Sequence, residues 1–262
     1  MQKRRQVAAL NLRQMNQLLK IVIIIALAVG CGSCRAVSVK EPVKETPAPV
    51  KTPAARQKAV CIDPGHPSEV NSGSTIQNGT TEVHIAWVVA LRLKQILEDQ
   101  GFKVTMTKSR EGELVKNVDR AAIGNSSGAE LMVRLHCDAG NDEGFAVYAP
   151  DRQATKENTT GPPQAVIDKS KILADAIDRE MSKSLTRDLK NGGVRGDSQT
   201  AVGSQQGALT VSIFSRIPIV TIEMVVLSNK ADAEFIKSEA GQQKMARAVA
   251  DGIAQFVATD GK

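Results

Sequence analysis

The sequence predicts an α/β fold, a mostly parallel twisted sheet flanked by helices in a single domain. Three observations carry that expectation. Apolar runs of strand length alternate with longer stretches whose apolar residues recur at helical spacing. The first run, "AVCID" (59–63), stops at Pro64-Gly65, a turn signal. The alternation also begins sharply at Lys58, after a segment with no usable apolar period, and no internal repeat interrupts it.

Ahead of that point the chain reads as a leader (1–30) and a tether (31–57). Lys3, Arg4, Arg5, Arg13 and Lys20 are basic, and "IVIIIALAVG" (21–30) is an apolar run too short to span a bilayer comfortably. "LAVGC" (27–31) resembles a bacterial lipoprotein signal, in which Cys31 becomes the lipidated new N-terminus; Ala28 stands where that pattern prefers Leu. A plain export signal, or an uncleaved anchor lengthened by Leu18 and Leu19, is the alternative. Each reading places the domain outside the cytoplasm, in a periplasm or at a cell surface. Residues 35–57, rich in Pro, Lys, Val and Thr, read as an extended tether.

From residue 58 the elements follow in order, with 58–262 as the domain. After the 59–63 strand, 82–100 presents Val83, Ala86, Trp87, Ala90, Leu91, Leu93 and Leu97 on one broad helical face, with Gly101 as its C-terminal stop. "FKVTMT" (102–107) alternates as a half-buried strand does. A helix is expected over 114–124, strands at "ELMVRL" (130–135) and "GFAVYA" (144–149), then a polar loop through Gly161-Pro162-Pro163. Residues 164–185 form an amphipathic helix with Ile167, Ile172, Leu173, Ala176, Ile177 and Met181 inward. "NGGVRGDSQ" (191–199) reads as a loop, "ALTVSI" (208–213) and "IPIVTIE" (217–223) as strands, and 241–257 as a last helix.

Charge narrows the function. The 262 residues carry a formal +6, but residues 1–57 hold ten Lys/Arg against two Glu, leaving 24 basic and 26 acidic side chains in the domain. A near-neutral domain with one Trp and one Tyr has neither the electrostatic footprint nor the stacking platforms of a nucleic-acid binder. Cys61 and Cys137 lie in apolar strands and read as small buried hydrophobes, although a disulfide between them, or metal ligation by one, stays open.

Four residues stand out against this scaffold. His66, His136 and Glu223 fall at or just past the carboxyl ends of expected strands, where open α/β sheets build their sites. Glu82 opens a helix after a long loop and can fold back over the same edge. Two neutral imidazoles and a carboxylate make a three-ligand catalytic zinc set, and a spare glutamate beside it can act as general base. Taken singly each has a blander reading. His66 can be a surface-loop histidine, His136 a core one, and Glu82 a helix-start acid reaching back to a Gly79 cap. Glu223 is harder to dismiss, because apolar residues flank it on both sides and a buried carboxylate needs a partner or a raised pKa. His84, two residues from Glu82, points to another helix face and receives no metal role. Spacing alone leaves open which glutamate is ligand and which is base.

"AVCIDPGH", the glutamate of "NGTTE" (78–82), "ELMVRLHCDA" and "PIVTIEMVVLSNKAD" together resemble the zinc-dependent N-acetylmuramoyl-L-alanine amidases of the amidase-3 family, in order over about 58–258. The resemblance implies an α/β sheet flanked by helices and peptidoglycan as substrate. It also assigns the roles: His66, Glu82 and His136 to zinc, Glu223 to catalysis. Three departures accompany it. Pro67-Ser68 replaces a Gly pair, Asp138 replaces an Asn, and "MTKSR" (106–110) leaves Lys108 and Arg110 competing for the place of an Arg that usually follows Thr. The implied reaction is hydrolysis of the amide between the lactyl group of N-acetylmuramic acid and the first L-alanine of the stem peptide. Rival readings are a zinc peptidase acting within the stem peptide, and a non-catalytic wall-binding or regulatory lipoprotein. Expected partners are peptidoglycan and a membrane reached through the N-terminal lipid or signal anchor, with an activator protein left open.

Overall fold

A computed structural model describes residues 58–260, so the leader, the tether and the Cys31 lipidation site lie outside the described residues. Eight strands and seven α-helices are described. They are β1 (Ala59–Pro64), α1 (Glu82–Asp99), β2 (Lys103–Met106), α2 (Asn117–Ser126), β3 (Leu131–Asp138), β4 (Phe145–Ala149), β5 (Ala154–Lys156), β6 (Thr159–Gly161) and α3 (Gln164–Leu185). There follow β7 (Asn191–Gly196), a 3-10 turn (Asp197–Gln199), α4 (Ala201–Gln206), α5 (Thr210–Phe214), β8 (Ile219–Val226), α6 (Lys230–Lys237) and α7 (Glu239–Asp260). Among the described residues, no helix is long and apolar enough to cross a membrane.

Six strands form one sheet in the order β2-β1-β3-β8-β4-β7. All neighbours run parallel except β4 against β8. The sheet is therefore mostly parallel, as expected. Strand alternation divides its two faces. Val60, Ile62, Leu131, Val133, Leu135, Val220, Ile222 and Met224 point into the large core, where α1, α3 and α7 pack. Cys61, Met132 and Ile219 point the other way, into a smaller cluster beneath α2 and α5. Farther along those strands, the same face carries Asp63, Arg134, His136, Thr221 and Glu223. Cys137, in the large core, therefore sits on the face opposite Cys61; among the described residues both cysteines are free, and no disulfide joins them.

Several expected elements shift. The 82–99 helix starts at a Thr81 cap, whose hydroxyl accepts from the His84 N–H at 3.3 Å, so Gly79 is not the cap. Its buried stripe runs Ile85, Ala86, Val89, Ala90, Leu93, Ile96 and Leu97, which leaves Leu91 exposed. At the far end Gly101 has φ +86 and its N–H reaches Glu98 O, the left-handed stop glycine makes easily. The second helix begins three residues later than expected, at Asn117. In α3 Ile172 faces outward while the other expected inward residues are buried.

Two assignments were wrong in kind. Residues 191–196, expected as loop, form edge strand β7, because parallel pairing with β4 supplies backbone bonds that a glycine-rich run does not advertise. Residues 208–213, expected as strand, contain buried helix α5, since a short apolar run has no period to tell the two apart. The expected polar loop before 161 also holds the β5–β6 hairpin, turning through Glu157 and Asn158, both at positive φ. Helices α4 and α6 were not anticipated, although Asn229, accepting from the Ala231 and Asp232 N–H groups, is a recognisable cap.

Candidate metal centre

β1 delivers its chain to Gly65, where an added Cβ would lie 2.6 Å from the His136 ring; only glycine permits that approach. His66 follows at φ +53 and is 9% exposed. Its Nδ1 faces Asn71 O at 3.1 Å, which orients Nε2 toward Glu82 Oε1, also at 3.1 Å. Such a backbone acceptor on the second nitrogen is the usual way a metal-binding histidine is held. Glu82, the first residue of α1, places Oε1 2.9 Å from His136 Nδ1 and accepts the Cys137 N–H at 3.2 Å. The two imidazole rings stand edge to face with centroids 5.0 Å apart.

One donor atom from each of His66, Glu82 and His136 lies within 4.8 Å of the others. Burial pushes His136 down to about 4, so its ring is neutral, the form that ligates. Burial opposes ionisation of Glu82, but hydrogen bonds from His136 and His66 outweigh it and hold the carboxyl well below its usual range. Two imidazole nitrogens and a carboxylate oxygen converging in this way fit a zinc ion.

Glu223 completes the group. In the β3–β8 pairing it lies directly across from His136. Its Oε2 is buried and, among the described residues, has no hydrogen-bond partner. Burial raises its pKa well above the ordinary value, with the Glu82 and Asp138 charges adding and Arg134 opposing. The fold thus brings together the four residues singled out in the sequence. His84, as expected, is elsewhere: it is exposed and sits 3.3 Å from Glu111. Neither Cys61 nor Cys137 belongs to the donor set, and burial first of all pushes both thiols up, Cys61 to about 12.

What sequence reading missed is the layer beneath. Asp63, fully buried, accepts from Thr107 Oγ1 (2.5 Å), Arg120 Nη1 (2.5 Å) and Arg134 Nε (2.8 Å). Burial works against its ionisation, yet Arg120 and Arg134 hold it far below the usual carboxylate range. Arg134 also places Nη2 3.1 Å from His136 Nε2. Arg120 donates to Pro64 O (2.8 Å) and Pro67 O (2.7 Å), while Lys108 donates to Gly65 O (3.3 Å), His66 O and Glu111 O. Two buried cations thus hold four consecutive carbonyls of the His66 turn. This settles Lys108 over the exposed Arg110 as the structural cation after Thr107. The available signal was charge inside apolar strands, Asp63 in "CID" and Arg134 in "MVRL".

The centre opens into a cavity of about 530 Å³. Ser68, Glu69 and Asn117 line it near the His66 loop; Tyr148 and Arg195, on β4 and β7, line it as well, as does Lys156 of β5. Asp138 is part of its wall and accepts the Ala139 N–H.

Comparison with known proteins accords with this geometry. Residues 60–255 match the family described as N-acetylmuramoyl-L-alanine amidase, amidase-3. The chain is 22% identical over 224 residues to the N-acetylmuramoyl-L-alanine amidase AmiA of Escherichia coli, covering 76% of each chain. Among solved structures it resembles Ami1, the N-acetylmuramyl-L-alanine amidase of Mycobacterium smegmatis (TM-score 0.64, 23% identity, 77% of this chain and 97% of that one). It also resembles the CwlD amidase of Clostridioides difficile, solved in complex with the GerS lipoprotein (TM-score 0.62, 22% identity, 78% and 100% covered). With the match spanning nearly the whole described domain, the chain belongs to the amidase-3 family of N-acetylmuramoyl-L-alanine amidases.

Proposed function

We propose that the chain hydrolyses the amide joining the lactyl group of N-acetylmuramic acid to the first L-alanine of the stem peptide, with His66, Glu82 and His136 holding zinc and Glu223 acting as base. The observation that carries this reading is the buried, unpartnered Glu223 Oε2 beside a converged His/Glu/His donor set. An isolated buried carboxylate is costly, and a proton-transfer role gives it a reason to be there.

His66, Glu82 and His136 would hold a zinc ion, which would supply Lewis acidity toward the scissile carbonyl and the attacking water. Glu223 takes the proton from that water and hands it to the departing alanine nitrogen. Asn71 O faces the second nitrogen of His66 and holds the orientation of that ring. Lys108 and Arg120 hold the His66 backbone from beneath.

Export of the chain, with Cys31 as a lipid anchor and the tether setting the domain near the wall polymer, is part of the same proposal. Replacing Cys31 by Ser should move the protein from the membrane fraction to the soluble one. A partner protein that tunes activity fits the complex reported for CwlD. The decisive experiment is digestion of purified sacculi with mass spectrometry of the products. Intact stem peptides beginning with a free L-alanine amine support the amidase. Cuts inside the stem identify a peptidase, and no products from zinc-loaded protein identify a binding protein.

A further inference from the structure

The two ends of the cavity differ in charge, and the sheet fixes the distance between them. On β8, Thr221 and Glu223 share the face that looks into the cavity. Thr221 pairs with Tyr148 on β4, and Tyr148 pairs with Arg195 on β7. Arg195 therefore stands on the same face, two strand spacings from β8, or about 10 Å.

Its guanidinium lies over the Tyr148 ring, 5.9 Å from the centroid, with Nε donating to Gly192 O and Nη1 to the Tyr148 hydroxyl, each at 3.2 Å. Those bonds use two of its five N–H groups and aim the fork. Asp142, at 3.8 Å, is 73% exposed in its side chain and is a weak competitor. Lys156, on β5, is a second cation of the cavity lining, its Nζ donating to Gln206 Oε1 at 3.0 Å. The opposite side, at Ser68, Glu69 and Asn117, offers no cation among the described lining residues and suits a neutral, hydroxyl-rich ligand.

The substrate has a matching asymmetry. In an intact muramoyl peptide the lactyl carboxyl is consumed in the scissile amide, so free carboxylates lie only on the peptide side. An extended peptide covers about 10 Å in roughly three residues. We propose that Arg195, assisted by Lys156, is a substrate-carboxylate subsite that reads an acidic group about three residues into the stem peptide, which places the peptide toward β4–β7 and the glycan toward the His66 loop. This rests on the amidase reading and deepens it.

The test uses two substrates, a muramoyl tripeptide with free carboxylates and its counterpart with every peptide carboxylate converted to carboxamide. Wild-type enzyme should show a KM roughly tenfold or more higher on the carboxamide, with kcat nearly unchanged, as loss of a charge-assisted pair predicts. Arg195→Ala should raise KM on the acid by a similar factor and add no further loss on the carboxamide; Arg195→Lys should recover part of it. Equal losses on both substrates, or a wild-type enzyme indifferent to amidation, would overturn the subsite while leaving the amidase reading intact. Release of no peptide from either substrate by wild-type enzyme would overturn the amidase reading and the subsite with it.

Discussion

Glu223 and His136 face each other in register across the parallel β3–β8 pair, so the proposed base and the proposed ligand are set by backbone pairing rather than by loops. His66 is the opposite case. It sits past its strand at positive φ, and its position depends on what grips its backbone.

Replacing Glu223 by Gln should leave zinc bound and reduce kcat by roughly 10²–10⁴, the usual contribution of a general base. Zinc content measured alongside turnover of muropeptides checks it. Retained activity would remove Glu223 from the reaction.

Glu82→Ala should lose the metal itself. In wild-type protein, zinc at a hundredfold excess over Kd should add about 2.7 kcal/mol to unfolding stability by mass action. The variant should show no zinc-dependent rise in Tm, and a chelator should bring wild-type protein to the same baseline.

Lys108→Met should release the carbonyls of Gly65 and His66 while keeping much of the side chain's apolar volume. Zinc affinity, measured by competition with a chelator, should fall about 10–100-fold, as for other supports of metal ligands. Lys108→Arg should restore a large part of it. A change in Tm without a change in zinc affinity would show that the clamp supports the fold alone.

Asp197 lies 1% exposed, with Oδ2 accepting from the Leu209 N–H and Oδ1 buried without a partner among the described residues. Burial raises its pKa to about 6 from 3.8. The folded state thus binds this proton more tightly than the unfolded one. Its contribution is complete below about pH 4 and is lost as pH rises through 6. Asp197→Asn should remove that dependence and gain up to about 3 kcal/mol relative to wild type at pH 7. Urea unfolding at pH 4 and pH 7 in the presence of chelator reads the difference.

The fold and the four central residues were legible because each rests on a short-range signal. β1 stops at Pro64-Gly65, β3 and β8 are apolar runs ending in a functional side chain, and α1 opens on Glu82. What stayed hidden depends on long-range partners. β7 is a strand only because β4 lies beside it, and α5 is a helix whose period is too short to register. Likewise Lys108 and Arg120 look like surface cations until the carbonyls they bind, more than forty residues back in the chain, come into view.

The placement of Cys61 and Cys137 on opposite faces of the sheet has a bearing on where the domain can mature. Their thiols stay protonated and are kept apart by the thickness of the sheet, so an oxidising compartment finds neither a crosslink to form nor a reactive thiolate to trap at these positions. The folded domain therefore has no disulfide among the described residues for a reductant to break, and reductants should leave its stability unchanged.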